Sequence, residues 1–474
     1  MRRVVIAGYG MAGARLAGEI RALDTTIQVT IVGAERHPAY NRVLLSSVVA
    51  GKLPVSGVLL HDDQWAARNR IDLRTGVSVT SIDEWLTLSD GSILDFDLLV
   101  LATGSSPVLP PVPGLAGARD VIAFRGLDDC ERIMAAERVA VLGGGLLGLE
   151  AARGLAGRGI PVTVVHAAGH LMERQLDPGA GAALSGALAK RGIDFRIGRT
   201  AVRHLPGEGL LLDDGDLVSA DLVVVAAGTK PETGLAEAAG IAVSGGVVVD
   251  DCLRTSDPRV CAIGDCAVHP GTSPGLVRPA WEQATVLAKL ITGADPGARY
   301  RGTKTVTRLK ASGIDLASMG EAHTEAGASG AEVVRLDDPA RDRYAKLVLR
   351  DDVVTGAIVL GFPDAAAAIS QLHDSGATVP EDRIALLLGR AAKPIGPVVS
   401  DLVCECNSVP RSRLVEAWRS GARTAEDFTR MTRAGTGCGG CAADLLALAQ
   451  ALGDEAEDAR FSEEQEKVEH HATH

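Results

Sequence analysis

The stretch Arg3-Val4-Val5-Ile6-Ala7-Gly8-Tyr9-Gly10-Met11-Ala12-Gly13 decides the fold. Residues 3–7 are a short β-branched run that reads as a buried strand. Glycines at the spacing G-x-G-x-x-G follow at once, and an amphipathic, helix-like segment covers 14–23. A second apolar strand is expected over 27–32, ending near Glu35. Strand, turn, helix, strand and acid together make a dinucleotide-binding unit. Gly8 makes the tight turn, Gly10 lets a pyrophosphate approach the backbone, and Gly13 lets helix and strand pack closely. The helix N-terminus, at Met11 and Ala12, offers free N–H groups and a positive dipole end to phosphates. Glu35 is placed to accept hydrogen bonds from ribose hydroxyls.

The pattern recurs. A strand over 138–142 runs into Gly143-Gly144-Gly145-Leu146-Leu147-Gly148, then a helix over 149–158 and a strand over 161–165. Gly143, Gly145, Leu146, Leu147 and Gly148 form the second binding turn, and neither copy looks degraded. Two units imply two dinucleotides, and one dinucleotide donating to another is flavin-plus-nicotinamide chemistry. A duplicated enzyme with one inactive site is the alternative. The second unit's strand ends at His166, where an acid would select NADH. A histidine can carry positive charge, so NADPH is slightly favoured.

At roughly 150 residues per domain, 474 residues suggest about three domains. The 46% hydrophobic content suffices for a core. A net charge of −12 argues against a general nucleic-acid binder, which needs a basic face. Residues 453–474, rich in Asp and Glu, are expected to be a disordered acidic tail. No apolar run is long enough to cross a bilayer. Arg2-Arg3 before an apolar run is not an export signal, because the run breaks at Gly8-Tyr9-Gly10 and no cleavage region follows. A cytoplasmic location is the default expectation.

Of 8 cysteines, Cys130, Cys252, Cys261 and Cys266 are scattered. The others pair as Cys404-Glu405-Cys406 and Cys438-Gly439-Gly440-Cys441, which points to metal or redox chemistry. A cysteine pair beside a flavin would reduce disulfides, but residues 40–51 contain none. Cys261 and Cys266 read as buried small hydrophobes.

On these motifs the chain resembles the pyridine-nucleotide-dependent flavoprotein oxidoreductases. It is most similar to the flavin-containing half of the bacterial NAD(P)H nitrite reductase large subunit and to electron-transfer subunits of assimilatory nitrate reductases. The likeness runs from Met1 to about Leu452. It rests on both glycine motifs, on Pro38-Ala39-Tyr40-Asn41-Arg42-Val43-Leu44-Leu45-Ser46, on Leu101-Ala102-Thr103-Gly104, and on Cys261-Ala262-Ile263-Gly264-Asp265.

The resemblance implies an α/β fold of two nested Rossmann-like domains, an α+β C-terminal domain and a small helical 2Fe–2S domain. FAD would be held by 1–117 and 250–300, and NAD(P) by 118–249 inserted between them. An interface domain over 301–390 and a cluster domain over 401–452 would follow. Ala102, Thr103 and Gly104 would close the FAD domain, with Ala226-Ala227-Gly228 their counterpart on return. Gly264 and Asp265 would hold the ribityl and phosphate part of FAD. Arg42 and Arg125 would lie along the FAD, Val79 would join its binding set, and Glu150 would stand near the nicotinamide–flavin contact. The region from Tyr300 to Gly389 shows no catalytic cluster, so packing or subunit contact is its expected role. Within it, strands around 344–349 and 353–360 should join through Asp351-Asp352.

The C-x-C and C-x-x-C pairs, with Ala434-Gly435-Thr436-Gly437 before the second, resemble the bacterioferritin-associated ferredoxin type of 2Fe–2S domain. Cys404, Cys406, Cys438 and Cys441 would then be the ligands. Arg411, Arg413, Arg430 and Arg433 could offset the cluster's charge. Zinc is the competing metal, although the C-x-C spacing is tighter than the usual zinc knuckle. Residues 379–399, with Pro380, Pro394 and Pro397, read as a tether allowing the cluster domain to swing. The chain ends soon after Cys441, without the further cysteines that a sirohaem half would need. It is therefore expected to deliver electrons to a partner, a nitrate reductase catalytic subunit or a separate nitrite reductase component. A general ferredoxin or rubredoxin reductase and an iron–sulfur redox sensor are the alternatives.

Overall fold

The computed structural model describes residues 2–270, 275–390, 402–404, 409–435, 441 and 444–453. The first sheet is parallel throughout, in the order Val260–Ala262, Leu98–Leu101, Arg3–Ala7, Gln28–Gly33, Asp72–Thr75. Its inner strands are buried on both faces, with Val4, Ile6, Ile31, Leu99 and Val100 all but inaccessible. Such continuous apolar runs suit a parallel sheet covered on both sides. The helix Met11–Leu23 follows the central strand and packs against Val277–Thr292.

The second sheet repeats the arrangement: Ile193–Ile197, Val162–His166, Val139–Leu142, Leu222–Val225, Val121–Ala123, again all parallel. Between the units the chain crosses twice, through Ser105–Pro107 and Thr229–Pro231, and these segments pair antiparallel. The second unit is thus inserted before the first unit's last strand.

One stretch lies where its place in the sequence does not suggest. Tyr40, Leu44, Leu45, Val48, Val49 and Val58 are buried with the second unit, against Leu149, Ala152 and Leu155 of the helix Leu146–Gly157. The small residues of that helix admit the close approach: a Cβ on Gly154 would meet Ala50 at 3.0 Å.

Residues 306–360 form an antiparallel sheet ordered Val306–Arg308, Leu316–Gly320, Val353–Leu360, Arg343–Arg350, Glu332–Asp338. Asp351 and Asp352 join two of these strands, both with positive φ, 49° and 60°, as a two-residue hairpin turn matching the strand twist requires. The helix Pro363–Ser375 covers one face. Val379, Leu386 and Leu387 are buried in the same core. The expected tether over 379–399 is therefore corrected at its start, because apolar residues fold 379–389 back onto this domain. Residues 391–401 lie outside the described set.

The cluster-bearing segment has its own small core of Val409, Leu414, Phe428, Leu445 and Leu448, with Cys404 and Cys441 in it. Helices Arg411–Arg419, Ala425–Thr432 and 444–453 surround that core. Thr424 begins the second through a capping box with Asp427. The acidic tail expected over 453–474 lies outside the described residues from 454 on. Among the described residues no helix is long and apolar enough to cross a membrane.

A buried polar cluster fastens the antiparallel sheet to the second unit. The Asp177 carboxylate caps Pro178–Ala189 by accepting from Ala180 N at 2.9 Å. It also accepts from Tyr344 Oη at 2.6 Å and Lys346 Nζ at 3.0 Å. Burial opposes its ionisation, but the Tyr344 hydroxyl, the Ala180 N–H and the Lys346 ammonium together hold the carboxyl below its usual range. Replacing Lys346 by Met leaves that carboxylate buried without its counter-charge. Chemical denaturation at pH 7 should show a loss of about 3–5 kcal/mol. A depressed carboxyl pKa stabilises above its unfolded value of about 3.9, so the difference between wild type and variant should shrink as pH falls below about 4.

Candidate functional site

Each glycine turn is set by backbone crowding. Gly8 has φ +125°, and a Cβ there would lie 2.1 Å from the Ala102 carbonyl oxygen. A Cβ on Gly13 would lie 2.0 Å from Gly8 O. The second turn repeats both contacts: Gly143, φ +124°, stands against Ala226 O at 2.3 Å and Gly148 against Gly143 O at 2.1 Å. Gly10 and Gly145 differ, since a Cβ on either would meet nothing within 4 Å. Two glycines per turn serve packing, and the middle one keeps an open approach to the backbone. The helices begin at Met11 and Leu146, where first-turn N–H groups have no intrahelical acceptor.

Both turns open into one cavity of about 1870 Å³. Small-molecule pockets run to roughly 300–1,000 Å³, so this one has room for two large ligands. Gly8, Gly10, Met11, Ala12, Ala102, Thr103, Gly104, Gly264 and Asp265 line one part, and Gly143, Gly145, Leu146, Leu147 and Gly228 the other. Gly13 and Gly148 stand behind the lining.

Polar residues along the wall are interlocked. Glu35 accepts from Tyr40 Oη at 2.8 Å and is ion-paired with Arg42, whose guanidinium also donates to Arg125 O at 3.1 Å. Arg125 donates to Ser105 O and Oγ, at 3.1 and 2.7 Å, and pairs with Asp265 at 3.3 Å. Gly264 N donates to the wholly buried Gln283 at 2.7 Å, a contact no motif announced. Val79 is not part of the lining: it lies in the small sheet of Val79–Ile82, Leu86–Leu88 and Ile93–Leu94, against the first core.

Glu150 is 3% exposed and reaches the cavity from the helix Leu146–Gly157. Its Oε2 accepts from Ser46 Oγ at 2.7 Å and Lys310 Nζ at 2.5 Å, and its Oε1 from Lys310 N at 3.1 Å. Lys310 Nζ also donates to Val43 O and, at 3.2 Å, to Ser46 Oγ. Beyond packing, the third domain thus contributes a side chain to the cavity wall. Its Lys310 lines the cavity and joins all three folding units at one point. No local signal surrounds Lys310 in the sequence, because its partners are 160 and more than 260 residues away.

His166 is 7% exposed. Its Nδ1 accepts from Gly144 N at 3.1 Å, while Nε2 faces His170 O at 3.0 Å and Glu173 at 3.1 Å. Both ring nitrogens are thus engaged by the protein, and the ring braces the second glycine turn. Arg174, Arg199 and Glu173 are the charged groups on that part of the wall.

Comparison with known proteins places this geometry. The family of pyridine nucleotide-disulphide oxidoreductases matches residues 2–284. The chain belongs to that family. A rubredoxin NAD+ reductase C-terminal domain matches 306–376, and a BFD-like 2Fe–2S binding domain matches 402–451. Nitrite reductase (NAD(P)H) of Bacillus subtilis is 36% identical over 93% of this chain and 56% of its own. The assimilatory nitrate reductase electron transfer subunit of the same organism is 35% identical over 93% and 58%. This family member thus spans under three-fifths of the length of either relative. Among solved structures, the covalent putidaredoxin reductase–putidaredoxin complex superposes with a TM-score of 0.73. That match has 28% identity and covers 82% of this chain and 95% of the other.

The cradles fit the dinucleotides that the family binds, since each offers a glycine-framed opening beside a helix N-terminus. Cys404 and Cys441, both almost wholly buried, line the same cavity. Cys406 and Cys438 lie outside the described residues. Among the described residues, the first cradle's lining holds no cysteine pair. Burial pushes the Cys261 thiol up to about 12 and raises that of Cys266, as befits packed, unreactive cysteines.

Two outcomes test the site. Gly10→Val should leave the fold intact, as measured by circular dichroism, yet remove bound flavin absorbance. Lys310→Met should slow flavin reduction roughly 10- to 100-fold in stopped flow, because Glu150 loses its anchor and the wall shifts.

Proposed function

We propose that this chain is an electron-delivery component that draws electrons from NAD(P)H and passes them singly to a partner reductase, an assimilatory nitrate reductase or a nitrite reductase component in the cytoplasm. The observation that carries this reading is the single cavity lined by two dinucleotide cradles and two cluster cysteines. FAD, when bound, accepts a hydride and returns electrons one at a time, which is what a nicotinamide donor and an iron–sulfur acceptor require between them.

The chain's own residues have separable tasks. Gly8, Gly10, Gly13, Glu35, Arg42, Arg125, Gly264 and Asp265 would hold FAD, with Asp265 and Arg125 pairing at its edge. Gly143, Gly145, Gly148 and Gly228 would hold the nicotinamide nucleotide. Glu150, fixed by Lys310 and Ser46, would orient the nicotinamide against the flavin. Cys404, Cys406, Cys438 and Cys441 would ligate the 2Fe–2S cluster. A modest preference for NADPH rests on the missing strand-end acid and on Arg174 and Arg199, with Glu173 acting against it.

Supporting the partner assignment, the chain matches 93% of its length to an assimilatory nitrate reductase electron transfer subunit. The test is reconstitution. Purified protein should contain flavin, iron and acid-labile sulfide, and should drive nitrate or nitrite reduction by an added catalytic subunit. Cys404→Ser should abolish that coupled activity together with the cluster's visible absorption. Zinc in place of iron, or coupled activity that survives the variant, would sink the reading.

A further inference from the structure

We propose that Arg433 is a latch that holds the cluster domain in position against the flavin side of the cavity. The residue ends the helix Ala425–Thr432 in the left-handed region, with φ 67°. Glycine is the usual occupant of such a helix end. Here a large side chain occupies it and reaches far back in the sequence. Arg433 Nη1 donates to Leu59 O at 2.8 Å, and Nη2 donates to Gly57 O.

Those two carbonyls lie on a strip that supports the cavity wall. Leu59 bridges to Tyr40, Leu60 N donates to Ala39 O at 2.7 Å, and Asn41 N donates to Val58 O at 2.8 Å. Tyr40 and Arg42, next in line, face the cavity. In the other direction Arg433 leads through Ala434 and Gly435 toward Cys441, which faces the same cavity. One half-buried side chain therefore ties the end of the helix Ala425–Thr432 to the strip beside the first cradle.

The choice of arginine fits the task. A planar guanidinium presents several donors in a fixed fork, so it can bridge two carbonyls two residues apart, whereas an ammonium is a single point. A tether supplies effective concentration; the latch adds orientation. The electron that passes goes from reduced flavin to oxidised cluster, and no further reactant is needed.

This inference rests on the relay reading above, and its test separates the two. The full chain, loaded with FAD and cluster, is mixed anaerobically with NADPH and followed by stopped flow. Arg433→Ala should slow cluster reduction, relative to the flavin phase in the same trace, by about tenfold or more. The electron paramagnetic resonance signal of dithionite-reduced protein should not change, and Arg433→Lys should restore only part of the rate. Independently, hydrogen exchange without nucleotide should quicken over 55–61 in Arg433→Ala and stay as in wild type across the rest of the first unit. Equal relative rates, or equal exchange over 55–61, overturn the latch. Failure of wild-type protein to reduce its cluster overturns the relay instead, and the exchange comparison still decides the latch. Should Arg433→Ala not assemble its cluster, Arg433→Lys and the exchange measurement carry the test.

Discussion

A carbonyl oxygen sits where a side chain would otherwise be, and the molecule is arranged around that contact. Ala102 O occupies the space beside Gly8, and Ala226 O the space beside Gly143. Any residue with a Cβ would push the central strand's turn away from its neighbour. Its absence draws each helix N-terminus onto the carboxyl edge of its sheet, where ligands of open parallel sheets bind. Immediately after those two carbonyls the chain crosses between the units, and the crossing segments Ser105–Pro107 and Thr229–Pro231 pair with each other. The contact that shapes each cradle therefore also turns the two cradles toward one cavity.

Around this frame, buried charges specify position more than they add stability. Taking a carboxylate and an ammonium out of water costs nearly what their attraction returns. Glu150 with Lys310, and Asp177 with Lys346, are nevertheless held largely out of water, and both join the antiparallel domain to the second unit. Each leaves one relative placement in which no charge is stranded. Ser46 shares the first of these clusters, so a residue of the first unit is held to the same point. The third domain is thus a wall of the site and not merely a neighbour.

Several elements are legible in the sequence. Both strand–turn–helix units follow from local pattern, and the Asp351-Asp352 hairpin follows from two turn residues between alternating strands. One expectation needs correction. Prolines between 379 and 399 suggest a tether, yet Leu386 and Leu387 have a core to enter. There a tertiary partner outweighs the local signal.

The sequence by itself determined that two dinucleotide cradles and a thiolate cluster motif share this chain. Those features are written in residues a few positions apart, where a missing Cβ or a cysteine spacing acts locally. Tertiary structure alone decided that Lys310 meets Glu150 at the cavity wall and that Arg433 reaches Gly57 and Leu59. Such meetings span 160 to 376 residues. They depend on how whole domains pack, which no short stretch of sequence encodes.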